Sequence, residues 1–431
     1  MKVAIATLGC KVNLYDSATL ESRLVAEGHE VVEFGPGADV YVVNSCAVTD
    51  RADAESRRLA RRARRLAPGS RVVLTGCYAQ TDPRGAALPE VDFVVGTNRL
   101  EDLLRAVRGE LGSGSKVFVD DVRTARSVRT LGAGTFCGQT RAFLKIQEGC
   151  DLFCSFCIVP FARGRSRSVP PRIVLEELGR LASLGYREVV LTGVHLGGYG
   201  KDLEPPLDLA ALLEAVAEHG PVPRIRLSSL DPPEVTGRLL EVLAAAPCFC
   251  PHLHVPIQSG SDSVLRRMRR RYDRSLVAER IRAIRQRLPE ASIGTDLIAG
   301  FPGESEKDFE ETLELVEELP LTYLHVFPYS PRRGTTAAKL PGHLPREVVR
   351  DRAARLRELD ARKRSSFARS FLGKTLPVLL EPAPDSGGPQ EGYSRNYLRV
   401  RVEPRKGVAN VEVPVRVTGE DGGKLRGRAL A

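Results

Sequence analysis

Residues 149–167 read GCDLFCSFCIVPFARGRSR, and no other stretch restricts the fold of this chain so tightly. Cys150, Cys154 and Cys157 stand in a C-x3-C-x2-C pattern directly after an apolar, strand-like run, 143–146. Three thiolates on one tight loop can hold three corners of a cubane iron–sulfur cluster, because cysteine thiolate is the usual ligand of such clusters. The fourth iron then has no local cysteine, and a small chelating molecule can bind there. A zinc loop would close with a fourth Cys or His at short spacing. None follows within thirty residues of Cys157.

A chain of 431 residues exceeds one ordinary core and predicts two to three domains. No apolar run approaches the roughly 20 residues a membrane helix needs, so no membrane partner is expected. The opening, MKVAIATLGCKVN, reads as a first β-strand and not as a secretory signal, which predicts a cytoplasmic protein. Nine cysteines in that setting point to metal or catalysis instead of disulfides. Cys137, Cys248 and Cys250 fit no pattern and read as buried or incidental thiols. The formal charge of +10 is carried by arginine, since only 11 of the 64 basic residues are lysine. Arginine suits forked phosphate contacts, and the balance is consistent with a nucleic-acid partner.

Residues 1–112 alternate strands (3–6, 40–43, 72–74, 93–95) with helical segments (17–27, 50–66), the pattern of a parallel sheet covered by helices. Cys10, Cys46 and Cys77 each stand just past the carboxyl end of an expected strand, the edge on which open α/β sheets build their sites. They can meet in space without any local motif and form a second three-thiolate centre. The helix over 50–66 carries Arg57, Arg58, Arg61, Arg62, Arg64 and Arg65, a basic face suited to a phosphate backbone. Residues 113–140, rich in Gly, Ser and Thr, read as a linker.

Over 141–366 six strand candidates follow (143–146, 188–191, 224–227, 253–257, 293–298, 323–327), most of them separated by helical segments. Six such units predict a partial (βα)6 barrel with its site at the carboxyl ends of the strands. The cysteine loop follows the first strand and opens on that same face. Arg163, Arg165 and Arg167 flank it and are expected to bind RNA, and with a second basic run over 266–274 they would meet an anionic substrate entering that mouth. Over 367–431 the periodicity turns to short strands (375–380, 397–402, 409–417) with glycine turns, which predicts a small β-barrel. There Tyr393, Arg395 and Tyr397 interleave aromatic and basic side chains, as base stacking and phosphate contacts require. The expected class is α/β, with a β-barrel appended.

Along nearly its whole length the chain resembles the methylthiotransferase family of radical S-adenosylmethionine enzymes. Cys10, Cys46 and Cys77 match the ligands of that family's N-terminal cluster domain, Cys150, Cys154 and Cys157 its radical core, and GYSRNYLRV its C-terminal TRAM module. Phe156 stands where the superfamily usually has an aromatic residue before the last cysteine. TLGCKVN, VNSCAVTDRADAESRR, RGRSRS and TGVHLGGYG are most similar to the branch acting on N6-threonylcarbamoyladenosine in tRNA, 3′ to the anticodon. The resemblance implies two [4Fe–4S] clusters and S-adenosylmethionine, with Phe156, Gly193 and Gly260 shaping the cofactor pocket. It implies a radical made at the first cluster, a methylated sulfur presented at the second, and a methylthio group placed on C2 of the adenine. The implied partners are a tRNA anticodon stem-loop, an electron donor and a sulfur donor. Methylthiolation of isopentenyladenosine or of a ribosomal-protein aspartate is the same chemistry on another substrate. A non-catalytic iron–sulfur RNA-binding sensor is the alternative of a different class, and it would need no barrel mouth.

Overall fold

The computed structural model describes residues 1–112, 115–126, 128, 140–384, 388–404 and 408–430; Cys137 lies outside them. Alternation of apolar residues builds the N-terminal sheet. Its elements are β1 (Lys2–Thr7), α1 (Lys11–Ala26), β2 (Glu30–Val32), β3 (Val40–Ser45), α2 (Asp50–Leu66), β4 (Arg71–Gly76), α3 (Cys77–Thr81), α4 (Pro83–Ala86), β5 (Phe93–Val95), α5 (Leu100–Arg108) and β6 (Val117–Phe118). The six strands are parallel, in the order β2-β1-β3-β4-β5-β6. Successive side chains of a strand point to opposite faces. Val3, Val42 and Val73 accordingly pack under α1 and α5, while Ala4, Val43 and Leu74 pack under α2. Helix α2 starts where expected, because the Thr49 side chain accepts from the Ala52 N–H and caps the first turn. Helix α1 begins earlier than the expected 17–27, at Lys11, immediately after Cys10.

The middle of the chain continues with β7 (Arg141–Lys145), β8 (Gln147–Glu148), α6 (Val159–Arg163), β9 (Arg167–Ser168), α7 (Pro171–Ser183), β10 (Glu188–Thr192), α8 (Leu209–His219), β11 (Arg224–Leu227), α9 (Gly237–Ala245), β12 (His252–His254), α10 (Asp262–Arg267), α11 (Arg274–Arg287), β13 (Ser292–Ala299), α12 (Glu306–Glu318) and β14 (Tyr323–Pro328). Two parallel three-stranded sheets, β7-β10-β11 and β12-β13-β14, are joined by a parallel bridge between Ile225 and Phe249. Strand order follows chain order. The strand expected over 253–257 ends at His254, since Pro256 cannot donate to a ladder. Helix α13 (Arg346–Arg369), which lies outside the expected elements, packs Ala353, Leu356 and Leu359 into the barrel core.

The C-terminal strands β15 (Thr375–Leu380), β16 (Gln390–Ser394), β17 (Arg399–Val402), β18 (Glu412–Asp421) and β19 (Lys424–Ala429) close a barrel in the order β15-β16-β17-β19-β18. β16 and β19 were not expected. The strand expected from Tyr397 begins at Arg399, because Tyr397 adopts φ +67° in the preceding turn. This barrel closes the floor of the larger one. The Arg141 guanidinium lies 4.4 Å from the Tyr393 ring centre, Arg226 lies 4.7 Å from that of Tyr397, and His252 lies 4.5 Å from the same ring. Buried Glu188 accepts from Arg224 Nε and Arg226 Nε, each at 2.8 Å. Burial alone would raise its carboxyl, but the two arginines outweigh that and hold it at about 2. Among the described residues no helix is long and apolar enough to cross a membrane.

Candidate metal centres

The first trio is fixed by the loop between β8 and α6. Gly149 takes φ +75°, and a Cβ there would fall 1.9 Å from the Arg165 carbonyl oxygen, so only glycine lets the two ends of the loop close on each other. The Cys150 N–H donates to Gly164 O at 3.0 Å. Ser155 ties the middle of the loop to the end of α10, its N–H donating to Met268 O (3.0 Å) and its Oγ to Arg267 O (2.8 Å). Arg270 Nη1 donates to Cys154 Sγ at 3.1 Å, while its Nη2 is held by Asp231 at 2.6 Å.

The second trio is assembled from three chain segments. Cys10 precedes α1, Cys46 follows β3 and Cys77 opens α3. Gly9, at φ +95°, lies so close to Cys46 that a Cβ there would fall 2.8 Å from its Sγ. Asn13 braces this end of the sheet, its amide donating to Leu8 O (2.7 Å) and Ser45 O (3.0 Å). Arg163, at the end of α6 and 3% exposed, reaches across from the barrel half. Its Nε donates to Cys77 Sγ at 3.3 Å, its Nη1 to Asp16 at 2.6 Å and to Glu148 at 3.3 Å, and its Nη2 to Asn13 Oδ1. Lys145 Nζ closes the network on Asp16 (2.7 Å) and Glu148 (2.6 Å). A cavity of about 80 Å³ lies beside these charges.

Burial pushes the Cys150 and Cys157 thiols up to about 12 and Cys77 to about 11, and it raises Cys46. Such thiols keep their protons until a multivalent cation replaces them, which is the donor chemistry of a metal centre. Three thiolates on one zinc ion, about 2.3 Å from it, would lie within about 4 Å of one another. Among the described residues, the groups of three whose ligand atoms all lie within 4.8 Å are His254–Asp296–His325 and His195–Asp231–Glu234. Three thiolates without a fourth protein ligand suit a cluster with several irons.

A cavity of about 180 Å³ separates the two halves. Phe156, Cys157, Gln258, Asp296 and Ile298 line it from the barrel, and Val48 and Thr49, just past Cys46, from the N-terminal sheet. The interface is pinned around it: Arg332 donates to Asp50 and Asp53 at 2.6 Å each, and Thr97 Oγ1 to Ala162 O at 2.7 Å.

Gly193 packs on Gln147, where a Cβ would fall 2.8 Å from Oε1. Gly260 lies against α12, its N–H donating to Thr312 Oγ1 at 3.0 Å. Of the three arginines after the cysteine loop, Arg163 and Arg167 are buried and only Arg165 is exposed. Tyr393 and Tyr397 stack on Arg141, and Arg395 binds Glu412 and Pro247 O, so all three are engaged at the barrel floor. The sequence reading missed Arg270, Asp231, Lys145, Asp16 and Glu148. It also passed over the inward trio of adjacent strands in which His254 and His325 each come within 3.1 Å of Asp296 Oδ1.

Residues 144–316 match the Radical SAM superfamily, and residues 2–96 match Uncharacterized protein family UPF0004. The chain is 40% identical over 403 residues to the threonylcarbamoyladenosine tRNA methylthiotransferase MtaB of Bacillus subtilis (strain 168), covering 92% of this chain and 89% of that protein. This chain belongs to the radical SAM methylthiotransferase family. Another relative is the tRNA-2-methylthio-N(6)-dimethylallyladenosine synthase of Thermus thermophilus (strain ATCC 27634), 37% identical over 96% of this chain and 89% of that one. Among solved structures, the radical S-adenosylmethionine methyltransferase TsrM from Kitasatospora setae, with cobalamin and a [4Fe-4S] cluster bound, superposes with a TM-score of 0.56 at 16% identity, over 76% of this chain and 74% of that one. That likeness concerns the fold. The cofactors of this methylthiotransferase are S-adenosylmethionine and [4Fe–4S] clusters, and both cysteine trios have the donors to hold a cluster.

Proposed function

We propose that this methylthiotransferase places a methylthio group on C2 of N6-threonylcarbamoyladenosine in the anticodon stem-loop of tRNA. The observation that carries the reading is the cavity between Cys157 and the segment after Cys46, walled by both halves of the molecule. Relatives named for threonylcarbamoyladenosine tRNA methylthiotransferase, at 34–41% identity, supply the substrate. Bound S-adenosylmethionine and the clusters supply the one-electron chemistry and the methyl group.

The chain's own residues do the rest. Cys150, Cys154 and Cys157 would hold the radical-generating cluster, with Arg270 and Asp231 fixing Cys154. Cys10, Cys46 and Cys77 would hold the second. Phe156 and Ile298 give the cavity dry walls, which keep water from a reactive centre, and Asp296 with its two histidines gives it one polar side. The exposed arginines of α2, Arg58, Arg61, Arg62 and Arg65, run away from Thr49 at the cavity edge and suit the phosphates of an RNA stem. An electron donor and a sulfur donor complete the reaction.

Nucleoside mass spectrometry of tRNA from cells lacking the gene tests this. The expected result is loss of the methylthio group from threonylcarbamoyladenosine alone. Loss from isopentenyladenosine would move the substrate to the second group of relatives. Unchanged tRNA, with redundant enzymes excluded, would point to a ribosomal-protein aspartate.

A further inference from the structure

Arg163 follows the first trio in the chain yet spends its Nε on a sulfur of the second. The polar contacts of its guanidinium lie inside a closed set: Cys77 Sγ, Asn13 Oδ1, Asp16 and Glu148. An arginine keeps its proton at any working pH, so both the donor and the charge are permanent. Asp16 and Glu148 are in turn held by Lys145, so two positive and two negative charges cancel. The guanidinium is the member turned toward the cysteine, with the carboxylates behind it. A clamp between the two halves would need only the carboxylates, and the Nε bond to sulfur adds something else. Hydrogen bonds to cluster sulfurs and nearby charge set the reduction potential of an iron–sulfur centre, and outer groups of this kind orient its ligands.

We propose that Arg163 is a positioning residue through which the radical core tunes the second cysteine centre, orienting Cys77 and favouring the reduced state of the cluster it helps to hold. This rests on the reading that Cys10, Cys46 and Cys77 bind a cluster. Fixed by its partners on both sides, Arg163 gives the second centre its full polarity only when the two halves are docked.

The test uses the full-length chain with Cys150, Cys154 and Cys157 changed to Ala, so that only the second centre loads. This parent is reconstituted anaerobically with iron and sulfide, and its reduction is followed by electron paramagnetic resonance at set potentials. Arg163→Gln is expected to lower the ratio of reduced to oxidised cluster about tenfold at a fixed potential, a midpoint about 59 mV more negative for a one-electron couple. Arg163→Lys, which keeps the charge but not the fork, should fall between. Arg163→Gln strands two carboxylates on Lys145, so the titration is repeated on Arg163→Gln/Glu148→Gln, whose network is again neutral; the same shift is expected. A folded double variant that loads no iron where the parent does also supports the inference, since Cys77 would be present but misplaced. Unchanged potentials in both variants at the parent's iron content would overturn it and leave Arg163 a clamp. A parent that binds no iron would instead overturn the second centre itself, and the inference with it.

Discussion

Cys150, Cys154 and Cys157 lie on one loop, while Cys10, Cys46 and Cys77 come from three strand ends and meet only when β1, β3 and β4 pair. Both trios have a left-handed glycine directly before their first cysteine, and in both a buried arginine donates to one sulfur. They differ in where that arginine comes from. Arg270 belongs to the same barrel as Cys154 and is held there by Asp231. Arg163 reaches Cys77 from the other half of the molecule. A local centre can form with its own loop, whereas a centre built from distant segments depends on the sheet and on docking.

The largest expected effect separates the two chemically. Cys154→Ala should abolish formation of 5′-deoxyadenosine from S-adenosylmethionine by the reduced enzyme. Cys46→Ala should retain it and lose only the methylthiolated tRNA. Product persisting in Cys46→Ala would erase the distinction.

The glycines give a smaller contrast. Gly149→Ala drives a Cβ into the backbone oxygen of Arg165, and backbone cannot yield as a side chain can. Left-handed strain plus overpacking should lower the unfolding free energy of the metal-free chain by about 3 kcal/mol or more. Gly9→Ala meets the Cys46 side chain instead. The strain should cost about 1–2 kcal/mol, with iron lost selectively from the second centre. Urea titrations and iron content per chain read both; equal iron loss from the two centres in each variant would mean that the glycines serve the whole fold.

Acid gives the smallest contrast, and its sign differs between the trios. Burial would raise the Asp16 carboxyl, but Lys145 and Arg163 outweigh it and hold it below its usual 3.8. Its contribution is therefore complete above 3.8 and lost as pH falls through the lower folded value. The stability gap between the native chain and Asp16→Asn should stay flat from about pH 7 to 5 and close below 3.8. Asp231, beside the first trio, is raised by burial despite Arg270. Its ionisation costs stability, and acidification toward 3.8 relieves that cost. Urea titrations should show the stability gap to Asp231→Asn changing above pH 3.8 and the gap to Asp16→Asn changing below it with the opposite sign; changes of the same sign would contradict the difference in environment.

Much of the architecture was legible because period-two and helical patterns are local. The strand ends that carry Cys10, Cys46 and Cys77 were visible as apolar runs closing on a cysteine, and β5, β11 and α2 fall where the pattern put them. What the sequence hid was direction. Arg163, Arg165 and Arg167 look alike along the chain, yet the first and last turn inward because Asp16, Glu148 and Asn13, or the loop backbone, wait for them. In the run 266–274 one arginine, Arg270, turns to Asp231 and Cys154 while its neighbours Arg269 and Arg271 stay exposed. Tyr393 and Tyr397 had the composition of a stacking surface, and the surface they meet is the protein's own barrel floor. The turns of Arg163, Arg270 and the two tyrosines each depend on a residue more than 30 positions away, which no local pattern records.

The reach of Arg163 across the interface has a consequence in time. A chain made at about 5–20 residues per second exposes Cys10, Cys46 and Cys77 first. Arg163 lies 86 residues beyond Cys77, so it follows about 4–17 s later. During that interval the nascent N-terminal sheet can gather its three thiols but lacks their cationic neighbour. The second centre therefore begins first on the ribosome, but it gains its arginine only once the start of the barrel half has been made.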